Sequence, residues 1–474
     1  MNYGLISIII PLIVIIIAVF TKKIITSLII GILTGGLFLA KGNIIEGVLL
    51  SSEHLIKSTA NEQSIYIIFF LFLFGAFGEI MKVSGGVKGF TRIASRYVKS
   101  EKGALWSIWV ITPVTFIDCC FHGISAGTVG KALIDKVNGS RRKLAFILNV
   151  TSCLLIILIP FGTTYIGYII GVIGSALSTA GLEQSAYSAY LKSIPFNFYA
   201  IIMCLISIAV LQFGLRFDRD LRSGGKEKEE DKDHAHDEAH EQCSFAEKAP
   251  PRPFNLILPL SILILTTFFF LWYTGKDQGI SFWKAIVNAN FEKSIFISGL
   301  ISLVITSLFY LVQKIPLREI ESHFLAGGNE MMPPIIVLIL SWGLSSIISD
   351  LGFTKFITGI VSTNIPGYLI PASIFLIGCF TSYFMGTAWG TWALIMPIAV
   401  PLAVSANSSL NLVIGAVLAG GALGDNTSPL GETAILSSTI SDVPLMEHVK
   451  SELPYCLAGV GISTILFVVA ALLV

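Results

Sequence analysis

Apolar runs of membrane length decide what this chain can fold into. A helix crosses the hydrocarbon of a bilayer in about 20 apolar residues. Such runs occupy 4–20, 24–40, 64–81, 103–135, 144–178 and 194–214. They recur at 254–273, 294–313, 333–349, 367–402, 412–438 and 453–474. Backbone N–H and C=O groups find no water in lipid, so runs like these must be helical. The expectation is an all-α polytopic membrane protein in three parts: a membrane repeat at 1–215, a charged cytoplasmic linker at 216–253, and a second membrane repeat at 254–474.

Composition agrees. Only 13% of the 474 residues are charged, against about a quarter in a soluble chain. So little charge cannot coat a globule, so most of the surface must face lipid. A net charge of +1 gives no reason to expect nucleic acid as a partner. No Gly-x-x-x-x-Gly-Lys-Ser/Thr loop is present, which argues against a nucleotide-driven pump. An intramembrane protease built on paired Asp is the cheapest enzyme alternative, and the broken, polar segments described below argue against it. The cysteines show no zinc spacing and mostly lie in apolar runs. No cofactor is expected. Met1–Phe20 lacks a basic start and a small-residue cleavage site, and reads as a retained first helix.

Lys and Arg set the topology. Lys22 and Lys23, the basic residues from Lys82 to Lys102, the group Lys136, Arg141, Arg142 and Lys143, and Arg216, Arg219 and Arg222 all read as cytoplasmic. Both ends of 103–135 are then on one side, so that segment enters and leaves by the same face. Five crossings per half follow, which inverts the second half and puts both termini outside. Lys276, Lys284 and Lys293 fall outside, against the rule. The linker run "GGKEKEEDKDHAHDEAHEQ" is too polar to fold alone, and His234, His236 and His240 read as solvated linker residues.

Two local matches support an inverted repeat. "FHGISAGT" at 121–128 aligns with "FMGTAWGT" at 384–391, and "PFGTT" at 160–164 with "PLGET" at 429–433. All lie in segments too long and too rich in Gly, Pro and Thr for plain helices. Pro removes a backbone donor, and Gly permits irregular backbone. Such breaks survive at membrane depth only inside protein or beside a wet cavity. Their carbonyls and Thr hydroxyls are hard oxygen donors suited to Na⁺.

Asp118, Asp425 and Glu432 fall inside these broken segments. Ionisable side chains there are costly and point to function. Burial favours the neutral form of a carboxylate and a nearby cation the charged one, so one site can hold either a proton or Na⁺. Asp118 and Asp425 are therefore expected to meet at mid-membrane as the candidate Na⁺ ligands. Thr128, Thr391, Asn426, Thr427 and Ser428 are expected to add neutral oxygens, with Thr163 and Thr433 flanking the breaks. His122, four residues past Asp118, reads equally as its proton-relay partner or as a packing histidine. Asn149, Thr151 and Ser152 are candidates to line the site, and Glu79 reads as an interface residue.

At these residues the chain resembles the NhaC-type Na⁺/H⁺ antiporter family. The resemblance rests on Gly386, Thr387, Ala388, Trp389, Gly390 and Thr391, then Gly424, Asp425, Ser428, Pro429, Glu432 and Thr433, followed by "HVKSELPY", with "SRRKLAFILNVTS" in the first half. It implies a secondary active antiporter of Na⁺ and H⁺ in a bacterial-type inner membrane, working as a homodimer, with Thr387 in its ion site. Cys119 stands where related first halves often have a second acid, and His122 where an Asn is usual. The family also carries organic solutes, so an amino acid or small organic acid coupled to Na⁺ or H⁺ is the alternative cargo. A roomy cavity against Trp389, Tyr165 or Phe161 would favour that alternative.

Overall fold

The computed structural model describes residues 6–82, 84–214, 250–276, 281–353, 356 and 366–473. Linker residues 216–249, with His234, His236 and His240, lie outside them. In the first half, helices run α1 Ile6–Thr21, α2 Ile24–Leu39, α3 Ile44–Thr59, α4 Glu62–Lys82, α5 Gly86–Tyr97, α6 Glu101–Thr115 and α7 Cys119–Val137. There follow α8 Arg141–Asn149, prolonged by a π-helical turn Val150–Leu155, then α9 Thr164–Thr179, α10 Ala186–Ser193 and α11 Phe198–Phe213. The second half holds α12 Phe254–Gly275, α13 Phe282–Val287, α14 Phe291–Val312, α15 Leu317–Glu330 and α16 Met332–Asp350. It ends with α17 Ile370–Met385, α18 Ala388–Ser405, α19 Leu410–Thr427, α20 Glu432–Ile440 and α21 Leu445–Leu473.

Seven of the described helices are long and apolar enough to cross a bilayer, or nine if each bent pair counts as one span. One bent pair is α2–α3, folded by 119°. The four over-long apolar runs each resolve into two helices with a break between them: α6–α7, α8–α9, α17–α18 and α19–α20. Helices α3, α5 and α15 fall outside the apolar runs and form because their mixed faces pack on neighbours. Large apolar side chains such as Leu265, Phe269, Val304 and Leu308 stay exposed on α12 and α14, as a lipid-facing surface requires.

The halves exchange partners. Helix α9 packs on α18, and α7 packs on α20. Helix α4 packs on α14 and α15, while α16 packs on α2 and α3. The two local sequence matches sit differently in the fold. Pro160–Thr164 and Pro429–Thr433 both lie at breaks leading into helices, as an equivalent pair should. Phe121–Thr128 lies wholly inside α7, whereas Phe384–Thr391 straddles the α17–α18 break. Keeping the Pro160/Pro429 offset pairs Asp118 with Thr387, and these two are the N-caps of α7 and α18.

Candidate functional site

The first break is shaped by a cap. Asp118 is extended (φ −148°, ψ 150°), and its carboxylate accepts from the free backbone N–H groups of Cys120 at 2.8 Å and Phe121 at 3.2 Å. An aspartate at this position satisfies donors that helix α7 cannot. Its other oxygen accepts from the Thr164 hydroxyl at 2.8 Å. Thr164 opens α9, which Thr163 caps by accepting from the Ile166 N–H at 3.1 Å. The two breaks of the first half are thus stitched together, and the Thr164 N–H adds a bond to the Ile117 carbonyl at 2.8 Å.

The second half repeats the device with different chemistry. Gly386, at φ +68°, ends α17, and Thr387 caps α18. Asp425 lies near the end of α19, buried. One oxygen accepts from the Ala388 N–H at 3.2 Å, in the first turn of α18, and the other accepts from the Tyr165 hydroxyl at 3.3 Å. The α19 ladder fails here for a definite reason. The Asp425 carbonyl would bond the N–H four residues on, and that residue is Pro429, which has none. The Thr433 hydroxyl fills the vacancy at 2.7 Å.

Asp118 and Asp425 do not meet directly. Each accepts from one of two consecutive residues of α9, Thr164 and Tyr165. Asp118 instead faces a cleft of about 250 Å³ that it lines with Glu330, Glu432, Thr387, Cys120 and Trp389. Glu432, the first residue of α20, is exposed into it, and its Oε1 lies 2.9 Å from Cys120 Sγ. Among the described residues, no Lys or Arg lines the cleft. Lys82 sits in a small adjoining pocket, ion-paired to Glu79, which lies 3.2 Å from His323 Nδ1. Glu79 is therefore an interface residue between α4 and α15.

Behind Asp425 lies a second, fully buried cluster. The Asn149 amide nitrogen donates to the Asn426 carbonyl at 2.7 Å and to both Glu452 oxygens at 3.0 and 3.1 Å. His448 Nε2 is 3.6 Å from Glu452 Oε2. The Tyr199 hydroxyl donates to Asn426 Oδ1 at 2.9 Å and lies 3.4 Å from Thr427 Oγ1. Asn149, Asn426 and Thr427 thus form the wall behind the break, and Ser428 turns its hydroxyl to the Leu430 N–H at 3.2 Å.

Several expected placements are corrected. His122 does not pair with Asp118 through its side chain. Its ring nitrogens lie 2.7 Å from Thr115 Oγ1 and 3.0 Å from Thr151 Oγ1, because the helix turns it toward α6 and α8. Thr128 is exposed on the far side of α7 and bonds the Ile124 carbonyl. Thr391 is buried but spends its hydroxyl on the Thr387 carbonyl. Sequence reasoning missed Thr164, Glu330, His448 and Glu452.

Thr164→Val keeps the shape and removes one donor to Asp118. A hydrogen bond to a charged group contributes about 1.5–3 kcal/mol, so the half-saturating cation concentration should rise about tenfold with little change in maximal rate. Unchanged half-saturation in reconstituted vesicles would show that Asp118 does not contact cargo.

A many-helix membrane bundle, broken at four places over buried carboxylates and hydroxyls, has the build of a secondary transporter. The chain belongs to the Na⁺/H⁺ antiporter family, whose profile matches residues 155–472. It is a multi-pass membrane transporter, not an enzyme. An uncharacterised Haemophilus influenzae protein is 30% identical over 466 residues, 95% of this chain and 87% of that one. The Na⁺/H⁺ antiporter NhaC of Bacillus subtilis is 26% identical over 174 residues, 35% of this chain and 37% of that one. The arginine/ornithine antiporter ArcD of Halobacterium salinarum is 33% identical over 111 residues, 22% of this chain and 23% of that one. In structure, the chain is similar to the YdaH transporter of Alcanivorax borkumensis, with TM-score 0.57 at 11% identity, covering 89% of this chain and 88% of that one.

Proposed function

We propose that the protein exchanges Na⁺ for H⁺ across a bacterial-type inner membrane. The observation that carries this is the cleft. Three carboxylates, Asp118, Glu330 and Glu432, line it, and among the described residues no cationic side chain does. Like charges so close repel and attract a cation or protons in its place. Na⁺ and H⁺ therefore compete for the same oxygens, and that competition is exchange. Asp425 sits one layer deeper, between the α18 N-terminus and Tyr165, as the carboxylate that trades the ion for a proton. The crossed packing of α9 on α18 and α7 on α20 supports a twofold relation between halves 1–215 and 254–474. The exposed apolar faces of α12 and α14 are available to a second copy in a homodimer.

One observation favours a second cargo. Trp389, Val337, Pro333 and Pro334 also line the cleft, and an indole beside carboxylates suits an organic ammonium group. The ArcD similarity points the same way. The carboxylates speak against a free organic acid, whose charge they would repel.

Proteoliposomes carrying a pH-sensitive dye decide between the cargoes. An imposed Na⁺ gradient should move protons in the opposite direction, and arginine or ornithine should not replace it. Proton flux driven by an organic cation but not by Na⁺ would transfer the site to the second reading. No flux with either would refute both.

A further inference from the structure

A second cavity lies apart from the acidic cleft. It is a hollow of about 420 Å³ bounded by α3, α4, α9 and α16, with Glu292 at its edge. Its wall is polar: Ser64, Ser175, Ser178, Thr179, Ser346 and Ser349 present hydroxyls. Lys57 at the rim is paired with Glu53 at 2.5 Å, so the charge left facing the hollow is that of Glu292 and Asp350. His54 braces one side, 2.9 Å from Ser346 Oγ and 3.6 Å from Asp350 Oδ2.

Three helices connect hollow and cleft, and each has them at opposite ends. On α4, Gln63, Ser64 and Ile67 line the hollow, while Gly75, Gly78, Glu79 and Lys82 line the pocket beside the cleft. On α16, Pro333, Pro334 and Val337 line the cleft, and Trp342, Ser346, Ser349 and Asp350 the hollow. On α9, Thr164 holds Asp118, while Ile170, Gly171, Gly174, Ser175, Ser178 and Thr179 line the hollow. At about 1.5 Å per helical residue, the septum between them is about 8 Å thick along α16 and about 12 Å along α4.

The septum is aromatic and held lightly. Trp342 forms its floor on the hollow side, donating from Nε1 to the Gly171 carbonyl at 2.9 Å. Beneath it, the Tyr168 hydroxyl donates to the Trp389 carbonyl at 2.8 Å. The Tyr165 and Trp389 rings lie 4.7 Å apart, and Trp389 itself lines the cleft. Gly171 leaves room for the indole: a Cβ there would come within 3.2 Å of Trp342 Cζ2. The plug is thus Trp342 on the hollow side and a cluster of tilted and edge-on rings, Tyr165, Tyr168 and Trp389, on the cleft side, tied by single hydrogen bonds.

We propose that the hollow is the vestibule by which the exchanged cation reaches the carboxylates from the opposite face of the membrane, and that Trp342 is its gate. The structure is the state open through the cleft and shut at Trp342. The hollow takes a partly hydrated monovalent cation, with hydroxyls replacing part of its water and Glu292 and Asp350 supplying the charge. The ion's identity rests on the exchange reading above, but the sidedness does not.

Sidedness is measured without transport. One background keeps Cys120 alone among the cysteines. A second carries S346C alone. Each is treated with a membrane-impermeant maleimide in right-side-out and in everted vesicles. Cys120 and S346C should label from opposite faces, each at least about tenfold faster from its own. Labelling of both from the same face overturns the proposal. Trp342→Ala should let each label from both faces and admit Na⁺ flux independent of a pH gradient, while Trp342→Phe keeps the barrier. Unchanged sidedness in inserted Trp342→Ala removes Trp342 as the gate. If Trp342→Ala fails to insert, the first comparison still decides the vestibule. Opposite labelling without Na⁺/H⁺ exchange would leave the vestibule standing and the cargo reading fallen.

Discussion

Asp425→Asn should abolish cation-driven proton flux while the protein stays inserted and folded. Asn has the same size, so α19 keeps its packing. What changes is the charge and the acceptor count. Asp425 offers one oxygen to the Ala388 N–H and the other to the Tyr165 hydroxyl. In Asn, one of those oxygens becomes an NH₂ group, which faces a donor and must turn away or break the contact. Losing a bond to a charged group and the charge itself is worth about 3 kcal/mol, or about 100-fold in rate. The neutral side chain also mimics the protonated carboxyl permanently, so it has no proton to exchange. The measurement is dye-reported flux in proteoliposomes beside a thermal-unfolding midpoint in detergent. Normal flux from well-folded Asp425→Asn would make Asp425 a structural cap of the α18 N-terminus and nothing more.

The breaks were legible because they are written in backbone chemistry. Pro429 lacks the N–H that Asp425 would need, and Gly386 adopts the left-handed backbone that ends α17. Those facts follow from residue type alone, which is why Asp118, Asp425, Glu432, Thr163 and Thr433 could be picked out. The wall behind the site was not legible. His448 and Glu452 precede the last apolar run and look like its charged flank. The structure continues α21 back to Leu445, so both residues are drawn under the bundle and 0% exposed. No local pattern announces that a helix will begin eight residues early. Glu330 was lost in a similar way: it ends α15, a helix too polar to register as a membrane segment, and reaches the cleft only through tertiary packing.

Adjacent residues were told apart only by geometry. The sequence "PFGTT" offers two threonines. Thr163 caps α9 with its own hydroxyl, and that use commits it to the backbone. Thr164 is one residue into the helix, where its side chain swings about 100° round the axis and meets Asp118. Thr128 failed for the complementary reason. It lies inside α7, where it is exposed and bonds its own helix, facing away from every break.

Gly424→Val should cost as much function as Asp425→Asn, by an entirely different route. Helices α17 and α19 share an extensive packed face in the bundle, and the contact is built on small residues. A Cβ at Gly424 would lie 2.2 Å from the Ser382 carbonyl oxygen and 2.4 Å from its carbon, atoms of backbone that cannot rotate away. Ordinary contact needs roughly 3.5 Å, so the helices must part by more than about 1 Å. Gly420, one turn earlier, meets Gly378 in the same way, and the Ser382 hydroxyl donates to the Gly420 carbonyl at 2.8 Å. The pair is a Gly-x-x-x-Gly seam, the arrangement that lets membrane helices approach closely when lipid supplies no hydrophobic drive. Asp425 is the next residue. Any outward step of α19 at Gly424 lengthens the 3.2 Å bond to the Ala388 N–H and withdraws the Thr433 hydroxyl from its carbonyl. Overpacking of this kind costs about 1–3 kcal/mol or more, so the thermal midpoint should fall by several degrees and exchange should be lost together. Asp425→Asn should lose exchange with a smaller fall in midpoint, since it disturbs one hydrogen bond and no backbone contact. If Gly424→Val keeps both its midpoint and its flux, the close approach of α17 and α19 is not what holds Asp425 at the tip of α18.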